Sequence, residues 1–211
     1  MKSTIAVSFG LALAGIATAA PLTSSFGQID GLSTRAVKTA AEIVGEIAPN
    51  SKTCANSDEC RTNEQAGPLL AKAMAQYKLD HAGPIAAVLA LTAFESVDYQ
   101  YKHNVFPGRA GQGTSNMQMY DYNKEYAESL KLTVPAGDTD AGKNALLDIL
   151  KDDKYNFGSG PWFLTVHCND QIENLKTATD EAFTAYMSCV GVTVDEGRKA
   201  YWQRAKTAFG L

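Results

Sequence analysis

The chain has no run of five or more basic residues, no N-x-[ST] sequon, no G-K-[ST] tripeptide and almost no stretch in which apolar and polar residues alternate. Without clustered cations it lacks the means to neutralise a row of phosphates, which excludes a dedicated nucleic-acid binder. The absent sequon removes N-glycosylation as a support for the surface, and the absent G-K-[ST] removes a phosphate-cradling loop. Scarce alternation speaks against a sandwich or barrel. Gly and Pro together number 24 of 211 residues with no Gly-X-Y period, so collagen-like and low-complexity chains are excluded as well. No repeat of solenoid or propeller length is present. His81, His103 and His167 are scattered, and no C-x-x-C spacing occurs, so neither a metal site nor a cofactor is expected.

What is present is 45% hydrophobic and 20% charged residues, with 19 Lys and Arg against 23 Asp and Glu for a net charge of -4. This is the balance of a chain with one globular core. Met1–Ala20 opens with Lys2, runs apolar from Ile5 to Ile16 and closes on Ala17-Thr18-Ala19. That is the pattern of a secretory signal peptide cut after Ala19. Its apolar run is shorter than the roughly 20 residues a spanning helix needs, so no membrane partner is expected. In a secreted chain the even set Cys54, Cys60, Cys168 and Cys189 reads as two disulfides. Of three possible pairings, Cys54–Cys60 and Cys168–Cys189 close the shortest local loops. The expected organisation is a signal peptide over 1–19, a flexible lead over 20–32 and a single domain over 33–211, secreted and monomeric.

Helical periodicity fills that domain. Ser33 or Thr34 is expected to cap a helix carrying Val37, Ala40, Ala41, Val44 and Ile47 inward until Pro49-Asn50. A second helix is expected over 63–78, with Pro68 early in it. From Pro84 to Phe94 the sequence is apolar on every side and rich in helix formers, which predicts a buried central helix ending at Glu95. An aromatic and Gly-rich loop over 99–115 follows, the one place for a small hairpin. Further helices are expected from Asn116 to Leu130, from Asp138 or Thr139 with Leu146, Leu147, Ile149 and Leu150 inward, over Trp162–His167 after the Gly158–Pro161 breaker, over 179–188 and over 195–208. The fold class is mostly α, with at most a small β-hairpin near 99–115.

Glu95 violates local rules. A carboxylate at a helix C-terminus faces the negative end of the dipole, and ten apolar residues precede it. A solvated residue at an emerging helix end is the plain alternative. Glu95-Ser96, the Gly-rich loop and then Gly113-Thr114-Ser115-Asn116-Met117-Gln118 resemble the Glu-Ser and Gly-Leu-Met-Gln signatures of goose-type lysozymes and soluble lytic transglycosylases. Tyr101–Asn104, Pro107–Arg109 and Gly111–Thr114 are similar to a loop of secreted fungal muramidases. The resemblance is dense over 93–119, thinner to Trp202 and invisible before residue 60. It implies a lysozyme-like helical domain that cleaves the β-1,4 bond between N-acetylmuramic acid and N-acetylglucosamine in bacterial cell-wall peptidoglycan. Glu95 would be the general acid, with Ser96, Tyr101, His103, Asn116, Met117 and Gln118 along the cleft. Tyr186 matches a third signature only in part, because Met187 stands where Asn is expected; orienting Glu95 and ordinary core packing remain equal alternatives for it.

A glycosidase commonly needs a second carboxylate. Asp98 is the nearer candidate and Asp121 its rival, each with a surface-charge alternative. Tyr99, Tyr101, Phe106 and Tyr120 are suited to stacking on sugar faces or to the core. Two rivals to the muramidase reading stand beside it: a catalytically silent carbohydrate-binding or effector protein on the same scaffold, and an enzyme acting on chitin or chitosan.

Overall fold

The computed structural model describes residues 38–135 and 138–211. The expected signal peptide, the lead, the Ser33 or Thr34 cap and part of the Pro135–Gly137 turn lie outside the described residues. Among the described residues the chain is helical, with no named strand. Two isolated antiparallel bridges, His103 with Gly113 and Gly113 with Gln118, mark the loop where a hairpin was expected.

Helix α1 (Ala40–Ile47) begins at a capping box. The Thr39 hydroxyl accepts from the Glu42 amide, and the Glu42 carboxylate accepts from the Thr39 amide at 2.7 Å. The helix that carries Ala40, Ala41, Val44 and Ile47 thus starts after Thr39. Helix α2 (Asn63–Gln76) has a second box from Thr62 and Gln65. The two helices meet backbone to backbone at Gly67, where a Cβ would sit 2.6 Å from the Ala41 nitrogen. Helix α3 (Ala82–Glu95) is the axis of the molecule, every residue from Ala82 to Ala93 being buried. Because it is apolar all round, it must be covered on all sides by other elements.

Helix α4 (Tyr120–Ser129) starts later than predicted. Asn116 does not cap it. Residues 113–118 are held in a turn by Gly113 N–H donating to the Gln118 carbonyl, with Met117 at φ +46°, so helical geometry cannot begin until Met119 is passed. Helix α5 (Asp140–Leu150) is capped by Thr139 and buries Leu146, Leu147 and Leu150. Ile149 points out, 37% exposed, contrary to expectation. Helix α6 (Asp153–Asn156) and α7 (Ser159–His167) follow, the latter beginning before Pro161. Pro161 was expected at the first helical position; it stands instead at the third, still in the first turn where proline needs no amide partner. Helix α8 (Ile172–Leu175) leads to α9 (Asp180–Val190), which ends on left-handed Gly191, and to α10 (Glu196–Phe209), capped by Asp195.

Helix α10 lies along α3 and α1 and covers the central helix. Trp202 stacks on Phe183 at 4.8 Å between ring centres and donates its indole N–H to Asp180 at 2.9 Å, tying α10 to α9. The bridges are Cys54–Cys60 and Cys168–Cys189, the second joining the end of α7 to α9. Two disulfides are compatible with a secreted protein. No helix among the described residues is long and apolar enough to cross a membrane.

Candidate functional site

The end of α3 is built under strain. Val97, Asp98 and Tyr99 all have φ between +52° and +61°, a region that costs a non-Gly residue about 1–3 kcal/mol and persists only where the surroundings impose it. The restraints are explicit. The Ser96 hydroxyl donates to the Thr92 carbonyl at 2.6 Å and accepts the Tyr99 amide at 2.9 Å. The Asp98 carboxylate accepts the Tyr201 hydroxyl at 2.5 Å and the Asn50 amide at 2.9 Å, and the Asp98 amide donates to Ala93 at 2.7 Å. Burial, together with the bond to Asp98, pushes the Tyr201 phenol well above its ordinary value, so Tyr201 serves as a neutral donor. Burial does the same to Tyr99, whose hydroxyl meets Thr92 at 3.1 Å.

Glu95 closes α3 at the rim of this turn. Its carboxylate accepts the Arg198 guanidinium of α10 at 2.7 Å, and the same guanidinium lies 4.4 Å over the Phe94 ring. A cation here offsets the unfavourable helix terminus that marked Glu95 in the sequence. The side chains of Glu95 and Arg198 are 21% and 14% exposed, so the pair is largely withdrawn from water.

Glu95 lines a cavity of about 250 Å³ together with Arg109, Gln112, Asn116, Met117, Gln118, Met119, Tyr122, Phe163 and the 190–192 segment. Its polar wall comes from the loop before α4. Asn116 and Gln118 are 7% and 5% exposed, and Asn116 Nδ2 donates to Gln118 Oε1 at 3.0 Å. That bond leaves Asn116 Oδ1 without a donor and Gln118 Nε2 without an acceptor; Gln112 Oε1 is likewise unpartnered. Asn123 Oδ1 and Asn156 Oδ1, which do not line the cavity, lack protein partners as well. A neighbouring cleft of about 390 Å³ shares Arg109 and Gln112 and adds His103, Asn104, Asn144, Asp148 and Lys151.

The structure thus gathers Glu95, Asn116, Met117 and Gln118 at one cavity and puts His103 in the next. Ser96 is buried and spends its hydroxyl on the turn. Asp98, 1% exposed, faces Tyr201 and Asn50 and lines neither cavity. Asp121 is exposed on the first turn of α4. Tyr186 is wholly buried with an unpartnered hydroxyl, so it makes no hydrogen bond to Glu95. Tyr101 and Phe106 are exposed, whereas Tyr99 and Tyr120 belong to the core. Arg198, Arg109, Gln112, Tyr122 and Phe163 were missed. The Asp195-capped helix predicted α10 but not its register against α3, which places Arg198 on Glu95.

Behind the loop, buried Lys102 and Arg61 converge on Asp153 at 3.0 and 2.6 Å, and His103 Nδ1 meets Glu59 at 2.8 Å. Although burial raises the Asp153 carboxyl, hydrogen bonds from Arg61 and Lys102 outweigh it and hold the group below its ordinary value.

No protein-family model matches the chain, and no solved structure matches it. A curated relative from Fusarium oxysporum (strain Fo5176), named a bifunctional dioxygenase (DOX)-epoxy alcohol synthase (EAS), is 46% identical over 157 residues. The match covers 70% of this chain and 12% of the relative, so the chain spans about an eighth of that protein's length. This finding corrects the expectation from the lysozyme-like motifs: the named relative is an oxidative enzyme, and neither a muramidase nor a chitin- or chitosan-cleaving enzyme is supported. Glu95 is ion-paired with Arg198, and the Asp98 carboxylate is engaged by Tyr201 and Asn50.

Dioxygenation requires a metal or an organic cofactor. Among the described residues no group of three or more His, Cys, Asp and Glu side chains could hold a metal ion, and all four thiols are bridged. Each histidine lies beside a different carboxylate, His81 by Asp80, His103 by Glu59 and His167 by Glu125. These residues do not fit a metal centre.

Proposed function

We propose that the chain is an extracellular ligand-binding domain whose Glu95 cleft recognises secondary amide groups. The observation that carries this reading is the pair of buried, unpartnered amide atoms beside one cavity, Asn116 Oδ1 and Gln118 Nε2. One is an acceptor and the other a donor, so together they match an N–H and a C=O from neighbouring secondary amides. Leaving such atoms unmade costs about 1–3 kcal/mol each, which an amide ligand would recover. Met117, Met119, Tyr122, Phe163 and Val192 supply apolar wall for the groups flanking that amide. The Glu95–Arg198 pair fixes the rim, anchoring the end of α3 to α10.

Bacterial cell-wall peptidoglycan, dense in secondary amides, is the partner this chemistry supports. In a longer protein such as the Fusarium relative, a domain of this kind would act beside the part that performs the oxidative chemistry in its name. Co-sedimentation with purified peptidoglycan, with amide-free cellulose as control, tests the reading. The intact chain is expected to pellet with peptidoglycan only. Gln118→Glu, which keeps size but removes the donor, and Asn116→Leu should each weaken binding at least tenfold with melting temperature checked in parallel. Equal retention of folded variants and the intact chain would overturn the assignment.

A further inference from the structure

The two cavities share a wall. Arg109 and Gln112 line both, so the Glu95 cavity and the His103 cleft form one groove with its junction at those side chains. Lys143, beside the groove, lies 5.3 Å over the Tyr120 ring, and other cations at the groove and its rim pair with carboxylates. Arg198 pairs with Glu95 and Asp195, Lys151 with Asp148 at 2.9 Å, and His103 with Glu59. Of the cations that line the two cavities among the described residues, the Arg109 guanidinium alone meets no carboxylate, although its backbone is fixed: Asn104 Oδ1 accepts the Gly108 and Arg109 amides at 2.8 and 3.3 Å. A surface arginine by itself signifies little. Here it lines a groove together with Gln118, Asn116 and Gln112, whose Nε2, Oδ1 and Oε1 meet no protein partner, the first two on side chains more than nine-tenths buried. In a chain of net charge -4, an uncompensated guanidinium at that junction selects for an anion.

We infer that the groove takes an acidic peptide segment, its amides paired with Gln118, Asn116 and Gln112 and its carboxylate held by Arg109 in the bidentate geometry a guanidinium favours. This rests on the amide-binding reading of the Glu95 cleft and adds the charge and polymer class of the ligand. Gln112 is itself held in place, its Nε2 donating to the Met117 carbonyl at 3.0 Å, which leaves Oε1 as its acceptor face.

The test is a titration of the ¹⁵N-labelled full chain, read on the side-chain amides of Asn116 and Gln118, with N-acetyl-glycyl-glutamate, its fully amidated counterpart and octanoate. The acidic peptide is expected to bind about fivefold more tightly than the amidated one at low salt. In Arg109→Gln that preference should fall to near one while the Asn116 and Gln118 signals still move, since Arg109 is exposed and its loss leaves the fold intact. Equal binding of the two peptides, or a preference that survives in Arg109→Gln, would overturn the carboxylate assignment while leaving amide binding standing. Octanoate binding as tightly as the acidic peptide would overturn the peptide assignment in favour of an apolar carboxylate. If neither peptide shifts those amides, the amide reading fails and this inference fails with it.

Discussion

Val97 is a β-branched residue at φ +52° with 52% of its surface exposed, so its side chain contributes little burial to offset its backbone strain. Replacement of an exposed residue by glycine normally destabilises; here Val97→Gly is expected to be neutral or stabilising by about 0.5–1 kcal/mol, because glycine adopts that region freely. Urea unfolding of the two proteins decides the sign. The neighbouring Asp98 should behave in the opposite way. Its buried carboxylate holds Tyr201 and Asn50, and Asp98→Ala strands both donors while keeping a Cβ at φ +60°. A loss of about 3 kcal/mol is expected in the same assay, and a smaller one for Asp98→Asn, which tolerates the left-handed region and still accepts a hydrogen bond. Asp98 attracted attention in the sequence as a catalytic candidate because it is close to Glu95 along the chain. Proximity in sequence said nothing of direction, and three consecutive left-handed residues turn its side chain toward α10.

Between elements, contact is often closest where side chains are smallest. Gly67 of α2 abuts the backbone of α1, and an added Cβ would fall 2.6–2.8 Å from Ala40 and Ala41 main-chain atoms, which cannot swing aside as a side-chain end can. Gly67→Ala is therefore expected to destabilise by about 1–3 kcal/mol even though alanine is the better helix former, and thermal unfolding checks it. The Asp153 cluster, which joins α6 to the Cys54–Cys60 segment and to the cleft loop, sets an acid limit. Its carboxyl is held below the ordinary value of 3.8, so it adds stability fully present above that value and lost as pH falls through the lower, folded-state value. Unfolding followed from pH 5 to 2 should show a steepening loss below about 3.8 in the native chain, and Asp153→Asn should flatten it. The long helices were legible at this scale because periodicity and caps act locally. Single-turn α6 and α8 were not, since four residues are too few to show a period.

At the scale of the whole molecule, the Cys168–Cys189 bridge spans 21 residues and ties α7, which packs on α3, to α9. In the chain-entropy model a loop of that size is worth about 3 kcal/mol, so the double variant Cys168→Ser/Cys189→Ser should lose about that much in urea unfolding with Cys54–Cys60 intact. What the sequence by itself determined is the class of the molecule: a helical domain, a central helix buried on all sides, and an aromatic and Gly-rich loop after it. Those features depend on composition, capping residues and hydrophobic period, all local properties. Only the tertiary structure decided what the site is made of. It brought Arg198 onto Glu95 from 103 residues away, turned Asp98 and Tyr186 out of the cleft, and left Asn116 Oδ1 and Gln118 Nε2 without partners beside Arg109. The register of α10 against α3 and the left-handed turn after Glu95 are set by packing between distant segments, and a motif read along the chain carries no information about either.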